Sequence, residues 1–271
     1  MAAASVAPLA AALAAAAPRG AAAAPSFVVA NDRFERDGAP FTIFSGSFHY
    51  HRALASTWAD RLERMAAMGL NAVQTYVPWN FHELTRRFGD APTFDFSGDR
   101  DLGAFLDAAQ SAGLVVLLRS GPYICGEHDL GGLPPFLLDT PGISGNADLR
   151  TNNSVYIGFV DRWYDQLLAV VKPRLYSNGG AVAMVQIENE YGSYGNTGGS
   201  AQDLAYMEHL RDYVRAGLGG RDAFQMYTTD GGDVGYMSHG ATPDVFATGD
   251  GGCGDTCTDC ECPPAGSGVA I

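Results

Sequence analysis

The sequence predicts an α/β fold, specifically a (β/α)8 TIM barrel that is incomplete at its C-terminus, with about six of the eight strands present. Segments typical of strands alternate with segments typical of helices, which is the pattern of parallel βαβ units. Polar and aromatic residues such as Tyr76, Tyr123 and Asn189 follow the strand ends. The competing arrangement is a doubly wound open sheet, but the glycine-rich phosphate loop of a dinucleotide fold is absent.

The first predicted strand covers residues 41–48, which are rich in aromatic and β-branched residues. A helix is predicted at 57–68, because its apolar residues share one face and Gly69 follows them. The second strand is predicted at 71–77, immediately before Pro78.

The later elements continue this alternation. The apolar periodicity predicts a helix at 99–112, and the run at 114–119, apolar up to its last residue Arg119, predicts a strand buried on both faces. A long loop rich in glycine and proline follows at 121–153. The remaining predictions, on the same grounds, are a helix at 154–171, a strand at 181–188, a helix at 201–217, a strand at 223–229 and a sixth strand at 244–248.

The composition excludes several classes of protein. Seventeen basic and 30 acidic residues give a net charge of 17 − 30 = −13, which repels a phosphate backbone, so we expect no nucleic-acid partner. A hydrophobic content of 46% permits a folded core and argues against a disordered chain. Since no strongly apolar run reaches about 18 residues, we expect no membrane span.

The two ends of the chain differ in composition from the middle. Residues 1–24 are rich in alanine, and their small-residue end predicts a secretory signal peptide; the alternative is a low-complexity extension. Residues 25–250 are predicted to form the partial barrel. We therefore expect the secretory pathway, with an extracellular or a lysosomal or vacuolar destination. The sequon at Asn152 would then be available for glycosylation.

Residues 251–271 form a cysteine-rich tail of uncertain status, since they hold four of the five cysteines. Thiolates at short spacing suit zinc, but this spacing is not a standard zinc pattern and contains no histidine. Disulfides are the alternative. We expect no metal and no cofactor, although a cysteine-rich metal-binding protein remains a third hypothesis for the chain.

The strongest candidate for chemistry is the segment 186–192. If the strand continues through it, Glu188 and Glu190 share one face and Asn189 lies on the other. A carboxylic acid beside an amide suits glycoside hydrolysis, because the acid can protonate the leaving oxygen while the amide binds a sugar hydroxyl. The alternative is a pair of solvated surface glutamates at a strand end.

Several long motifs, in series, resemble glycoside hydrolase family 35, the β-galactosidases. The likeness runs from about residue 27 to about 250 and corresponds to the N-terminal part of that family's catalytic domain. The matching stretches are residues 45–50, 74–83, 119–127, 131–134 and 186–192.

The resemblance implies a retaining hydrolase that removes terminal non-reducing β-D-galactose from oligosaccharides or glycoconjugates, so the expected partner is a β-galactoside. Glu190 matches the acid/base. The positions that match galactose-binding residues or the wall of the sugar site are Tyr76, Glu127, Asn189 and Cys125. Trp79 is expected, with Tyr76, to cover the apolar face of a sugar.

The sequence also departs from the family pattern. The motif that carries the family's nucleophilic glutamate is absent, and only Glu208 and Glu261 follow Glu190. A retaining mechanism needs two carboxylates about 5 Å apart. We therefore expect a truncated gene product that lacks its nucleophile, with a catalytically dead galactoside-binding fragment or pseudoenzyme as the alternative. His128 stands where the family usually has tryptophan. No oligomeric state is predicted.

Overall fold

The computed structural model describes residues 24–194 and 203–250. Most of the alanine-rich segment and the whole cysteine-rich tail lie outside these residues. The strands are β1 Phe27–Ala30, β2 Arg33–Arg36, β3 Ala39–Pro40, β4 Ser45–Ser47, β5 Ala72–Tyr76, β6 Val115–Arg119, β7 Val182–Gln186, β8 Gln225–Gly231 and β9 Phe246–Asp250. The α-helices are α1 Trp58–Ala67, α2 Trp79–His82, α3 Leu102–Ser111, α4 Ser154–Val171, α5 Leu204–Leu218 and α6 Val234–Gly240.

Six strands form a parallel sheet in the order β4-β5-β6-β7-β8-β9, so each strand pairs with its neighbour in the chain. A helix follows each of the strands β4 to β8 before the chain returns to this sheet. This arrangement is an incomplete (β/α) barrel, and it confirms the predicted fold class. None of the helices in the described ranges is long and apolar enough to cross a membrane.

The side chains of the sheet alternate between two apolar layers. Val116 and Leu118 of β6 belong to the main core, together with helix residues such as Trp163 of α4. Val115 and Leu117 belong to a second, smaller cluster on the other face. Since β6 is buried on both faces, its sequence is apolar almost throughout.

The smaller cluster is completed by an antiparallel sheet of β1, β2 and β3, which we call the N-terminal plug (residues 27–40). Phe27 packs against Tyr176 with the ring centroids 6.4 Å apart. A cavity of about 220 Å³ lies between the plug and the sheet, lined in part by Arg36, Tyr176 and Ala181. The sequence analysis did not predict this sheet.

The hairpin of the plug turns at Asn31 and Asp32, which both adopt left-handed backbone angles (φ 54° and 55°). Two consecutive residues with positive φ match the right-handed twist of the strands that they connect, and asparagine and aspartate tolerate this conformation best after glycine. The turn signal was therefore present in the sequence, but the strands are only four residues long.

Several predicted boundaries agree with the structure, and others do not. The helix predicted at 154–171 has these same bounds, and the side chain of Asn153 caps it by accepting from the N–H groups of Val155 and Tyr156. The strand predicted at 181–188 ends earlier, at Gln186. Helix α6 lies between the strands predicted at 223–229 and 244–248, where no helix was predicted, and Asp233 caps it.

Candidate active site

The five residues singled out from the sequence all lie at the carboxyl edge of the parallel sheet. Tyr76 is the last residue of β5, Cys125 and Glu127 lie in the loop after β6, and Asn189 and Glu190 follow β7. Burial raises the pKa of Tyr76, the neighbouring Arg119 lowers it, and Glu190 is among the groups that raise it. The strand ends therefore bring Tyr76 within electrostatic reach of Glu190.

The amide of Asn189 has a defined orientation. Arg119, the last residue of β6, donates a hydrogen bond to its Oδ1. Because a guanidinium group only donates, the amide oxygen must face Arg119, and the Nδ2 group then faces the carboxylate of Glu190 at 3.3 Å. Arg119 also lies over the ring of Tyr76, 4.3 Å from its centroid. Arg119 thus contacts two of the predicted sugar-binding residues, Asn189 and Tyr76.

Glu188 is not a solvated partner of Glu190, because the strand ends before it. Its side chain is 1% exposed, and Arg150 binds it through two hydrogen bonds, of 3.0 and 2.6 Å. The hydroxyl of Tyr206 donates to the same carboxylate at 2.9 Å. With every oxygen satisfied by protein donors, Glu188 is a buried structural anion, and the sequence-based alternative of two surface glutamates is wrong for this residue.

Arg150 is held between aromatic rings as well as by Glu188. Its guanidinium lies 3.8 Å from the ring centroid of Tyr123 and 4.0 Å from that of Tyr194. Burial acts to lower the pKa of Arg150, but the charge and hydrogen bonds of Glu188 outweigh it and the net shift is upward. Sequence reasoning missed Arg150, because it lies in the long loop, 38 residues before its partner.

The backbone around Glu190 is strained in a way that presents its side chain. Glu188 and Glu190 have left-handed φ angles of 56° and 47°, a conformation that is uncommon for residues with a Cβ atom. Two hydrogen bonds hold this path, from the N–H of Glu190 to the carbonyl of Thr229 (2.9 Å) and from that of Glu188 to Gly121 (2.8 Å). As a result Glu188 is buried while Glu190 remains half-buried and open to a ligand.

Glu127 and Cys125 lie on the rim of this site. The Glu127 side chain is 87% exposed and lies 3.9 Å from Arg52, which also donates to the carbonyl of Gly126. Cys125 is half-buried and lies beside Tyr123. The recorded partner of the Glu127 carboxylate is therefore Arg52 and not the Asn189–Glu190 pair.

The structure corrects the expectation for Trp79, which cannot cover a sugar. Trp79 is fully buried and stacks on Trp163, with the ring centroids 5.9 Å apart. Its Nε1 donates to Glu83 at 2.6 Å. Trp79 is therefore a core residue. The sequence could not show this, because Trp163 lies on a helix more than 80 residues away.

The acidic residues Glu208, Asp230 and Glu261 follow Glu190 in the chain and bear on the question of a second catalytic carboxylate. Glu208 lies within α5 and pairs with Arg211 at 3.8 Å, in the helical layer outside the sheet. Asp230, near the end of β8, is 1% exposed and accepts from the N–H of Gly192. Glu261 lies outside the described residues. Within the ranges that the structure describes, no group of three or more histidine, cysteine or acidic side chains could hold a metal.

Solved structures with a similar fold are glycosidases. An endo-1,4-beta-mannanase from Rhizomucor miehei aligns with a TM-score of 0.57 and 15% identity, over 83% of this chain and 71% of that chain. A beta-galactosidase from the psychrophilic Marinomonas ef1 aligns with a TM-score of 0.52 and 16% identity, over 78% of this chain and 40% of that one. The chain thus shares the α/β barrel fold of these two proteins.

Sequence comparison narrows this class to one family. The chain matches the glycosyl hydrolases family 35 over residues 33–262, and it belongs to that family. It is 46% identical to Beta-galactosidase 8 of Oryza sativa subsp. japonica (90% of this chain, 34% of that protein) and 43% identical to Beta-galactosidase of Homo sapiens (87% and 33%). The chain spans about one third of the length of these curated relatives.

Proposed function

We propose that the Asn189–Glu190 pair is the acid/base half of a retaining β-galactosidase site. The observation that carries this proposal is the position of Glu190, half-buried at the carboxyl edge of the barrel with an oriented amide 3.3 Å away. In this mechanism Glu190 first protonates the glycosidic oxygen as the leaving group departs. It then takes a proton from the water that releases the sugar. The relatives named beta-galactosidase support galactose as the sugar.

The neighbouring residues supply recognition in this proposal. Asn189 offers its Nδ2 group to a sugar hydroxyl, since Arg119 occupies its oxygen. Tyr76 contributes a hydroxyl and a ring edge at the floor of the site, and Glu127 and Cys125 contribute at the rim. A site that hydrogen-bonds several hydroxyls discriminates against an epimer, because the wrong hydroxyl leaves a buried polar group unpaired.

The covalent step needs a second carboxylate as nucleophile, and we assign none among the described residues. Glu188 is neutralised by Arg150, Glu208 lies in the helical layer, and Asp230 is buried. This observation favours a second candidate function, in which the 271-residue chain binds terminal β-galactose without hydrolysing it. Both functions use the same site and differ only in turnover.

Two measurements on the 271-residue chain test the proposal. The first is hydrolysis of an aryl β-galactoside; the second is calorimetric titration with a galacto-configured imino sugar that carries its ammonium at the anomeric position. Glu190→Gln removes the carboxylate, and Glu63→Gln, at an exposed position of α1, is the matched control. We expect the Glu190→Gln variant to lose any turnover and to bind the imino sugar about 10-fold more weakly, because a charge-assisted hydrogen bond is lost.

The outcomes separate the two functions. Turnover that disappears in Glu190→Gln supports the hydrolase, and galacto-selective binding without turnover supports the binding protein. Two results contradict both functions. One is equal affinity for the galacto- and gluco-configured imino sugars, and the other is a Glu190→Gln variant with the turnover and affinity of the unmodified chain.

We further propose that residues 25–250 act as the barrel unit behind an N-terminal secretory signal, and that the chain enters the secretory pathway. The exposed sequon at Asn152 supports this route, because its side chain is accessible to glycosylation.

A further inference from the structure

Asp230 is a buried acid beside the turn that follows Glu190. It lies near the end of β8, one residue after Thr229, whose carbonyl accepts from the N–H of Glu190. The Oδ1 atom of Asp230 accepts a hydrogen bond of 2.7 Å from the N–H of Gly192. Strand β8 and the side chain of Asp230 thus each bind one backbone N–H group of the turn that presents Glu190. These two N–H groups lie on either side of Tyr191.

The carboxyl group of Asp230 lies so close to the backbone of residue 240 that only glycine fits at that position. A Cβ atom on Gly240, the last residue of α6, would lie about 2 Å from the Asp230 carboxyl atoms. A Cβ atom on Gly192 would lie 1.9 Å from the carbonyl oxygen of Tyr236. Because the backbone approaches this closely, the turn after Glu190, Asp230 and α6 form one tightly packed unit.

The charges around Asp230 link it to the candidate site. Burial raises the pKa of Asp230 to about 6, the Gly192 hydrogen bond lowers it, and the negative charges of Glu188 and Glu190 raise it. Arg150 acts in the opposite direction. No donor in the described part of the chain reaches the second oxygen, Oδ2, which is also buried. The other ionisable residues on β8 and on the elements packed against Asp230 are Asp233, Tyr236 and His239 at α6, Tyr227 on β8, Asp250 on β9 and Tyr191 in the turn.

We propose that Asp230 is the positioning residue for Glu190, and that its hydrogen bond to Gly192 fixes where the acid/base carboxyl stands. This inference rests on the proposed role of Glu190 and adds a residue to which the sequence alone gave no role in catalysis. Asp230 does not touch the sugar, because its side chain is enclosed by Gly192 and Gly240. It acts through the left-handed turn, which would otherwise relax towards a less strained conformation.

The first test compares variants for affinity towards the galacto-configured imino sugar. Asp230→Ala removes the acceptor and should weaken binding at least 10-fold, whereas Asp230→Asn keeps an acceptor oxygen and should stay within about three-fold of the unmodified chain. Asp222→Asn, at an exposed residue outside this packed unit, is the matched control and should bind like the unmodified chain. A folded Asp230→Ala that binds normally, or an Asp230→Asn as weak as Asp230→Ala, overturns the proposal.

The second test needs no ligand, so it stands even if the proposed function fails. Carbon-13 NMR of the aspartate carboxyls follows the titration of Asp230 in the unmodified chain and in Glu190→Gln. We expect the pKa of Asp230 to fall in Glu190→Gln, because one of the negative charges that raise it has been removed. An Asp230 titration that does not respond to Glu190→Gln overturns the inference. Absence of imino-sugar binding by the unmodified chain, by contrast, speaks against the proposed function alone.

Discussion

The guanidinium of Arg119 faces the amide oxygen of Asn189, and this contact sets the direction of the whole amide group. A free asparagine can exchange its oxygen and nitrogen by a half-turn of the side chain at little cost. With Arg119 in place, the exchanged form would set the Nδ2 donor of Asn189 against the guanidinium donor of Arg119. The Nδ2 group of Asn189 is therefore held towards Glu190 before any sugar arrives.

We expect Arg119→Met to weaken binding of the galacto-configured imino sugar by about 10-fold, because the amide of Asn189 loses its fixed orientation and one pairing of a buried polar group. Calorimetric titration measures the effect. Arg61→Met, at an exposed position of α1, is the control and should leave the affinity unchanged. Equal affinities of the two variants would show that the amide is oriented by something other than Arg119.

We expect Glu188→Gln to destabilise the chain by about 3–5 kcal/mol, since it leaves the charge of Arg150 buried without its counter-ion. The side chains of Arg150 and Glu188 are 8% and 1% exposed, so water cannot compensate for the loss. Denaturant unfolding followed by circular dichroism measures the change. Glu63→Gln serves as the exposed control, and a Glu188→Gln variant as stable as this control contradicts the prediction.

The raised pKa of Asp230 gives the stability of the chain a pH dependence of known sign. Between about pH 4 and 6 the folded chain holds a proton on Asp230 that the unfolded chain has released, so the free energy of unfolding falls as the pH rises through this window. The shift from 3.8 to about 6 corresponds to about 3 kcal/mol. Asp230→Asn cannot titrate, so its stability relative to the unmodified chain should rise by about this amount from pH 4 to pH 7.

Thermal or denaturant unfolding at a series of pH values measures this difference, with Asp222→Asn, at an exposed position, as the control that retains Asp230. A difference between Asp230→Asn and the unmodified chain that stays constant from pH 4 to pH 7 would mean that Asp230 titrates normally in the folded chain.

Expression through a eukaryotic secretory pathway should attach a glycan to Asn152, which is exposed just before α4. Treatment with an N-glycosidase should lower the apparent mass by the weight of one glycan, and Asn152→Gln should abolish that shift. Asn178→Gln changes an asparagine outside any sequon and is the control. A chain secreted without the modification argues against accessibility of this site.

The fold could be predicted from the sequence because its main elements carry local signals. The apolar run of β6 and the aromatic periodicity of α4 reflect burial that the neighbours along the chain already define. The short strands of the N-terminal plug carry weaker signals, since four residues cannot establish a period. Helix α6 was missed for the same reason: it has seven residues, and its start depends on the cap by Asp233.

The candidate site was predictable only in part, for reasons of distance along the chain. Motif resemblance identified Asn189 and Glu190, and the structure places both at the carboxyl edge of the sheet. The state of Glu188 depends on Arg150, which no local pattern connects to it. The role of Asp230 could not be predicted, because it depends on a contact with a backbone group, Gly192, and such a contact leaves no mark in side-chain spacing.

The N-terminal plug lies among the apolar residues at the base of the sheet, whereas the candidate site lies at the carboxyl ends of the strands. Because of this separation, the two regions can be engineered independently. Substitutions that fill the cavity of about 220 Å³ beside Tyr176 should raise the thermal stability of the chain without disturbing the residues around Glu190. Thermal tolerance and ligand selectivity can therefore be optimised in separate libraries and combined afterwards, because distant changes add.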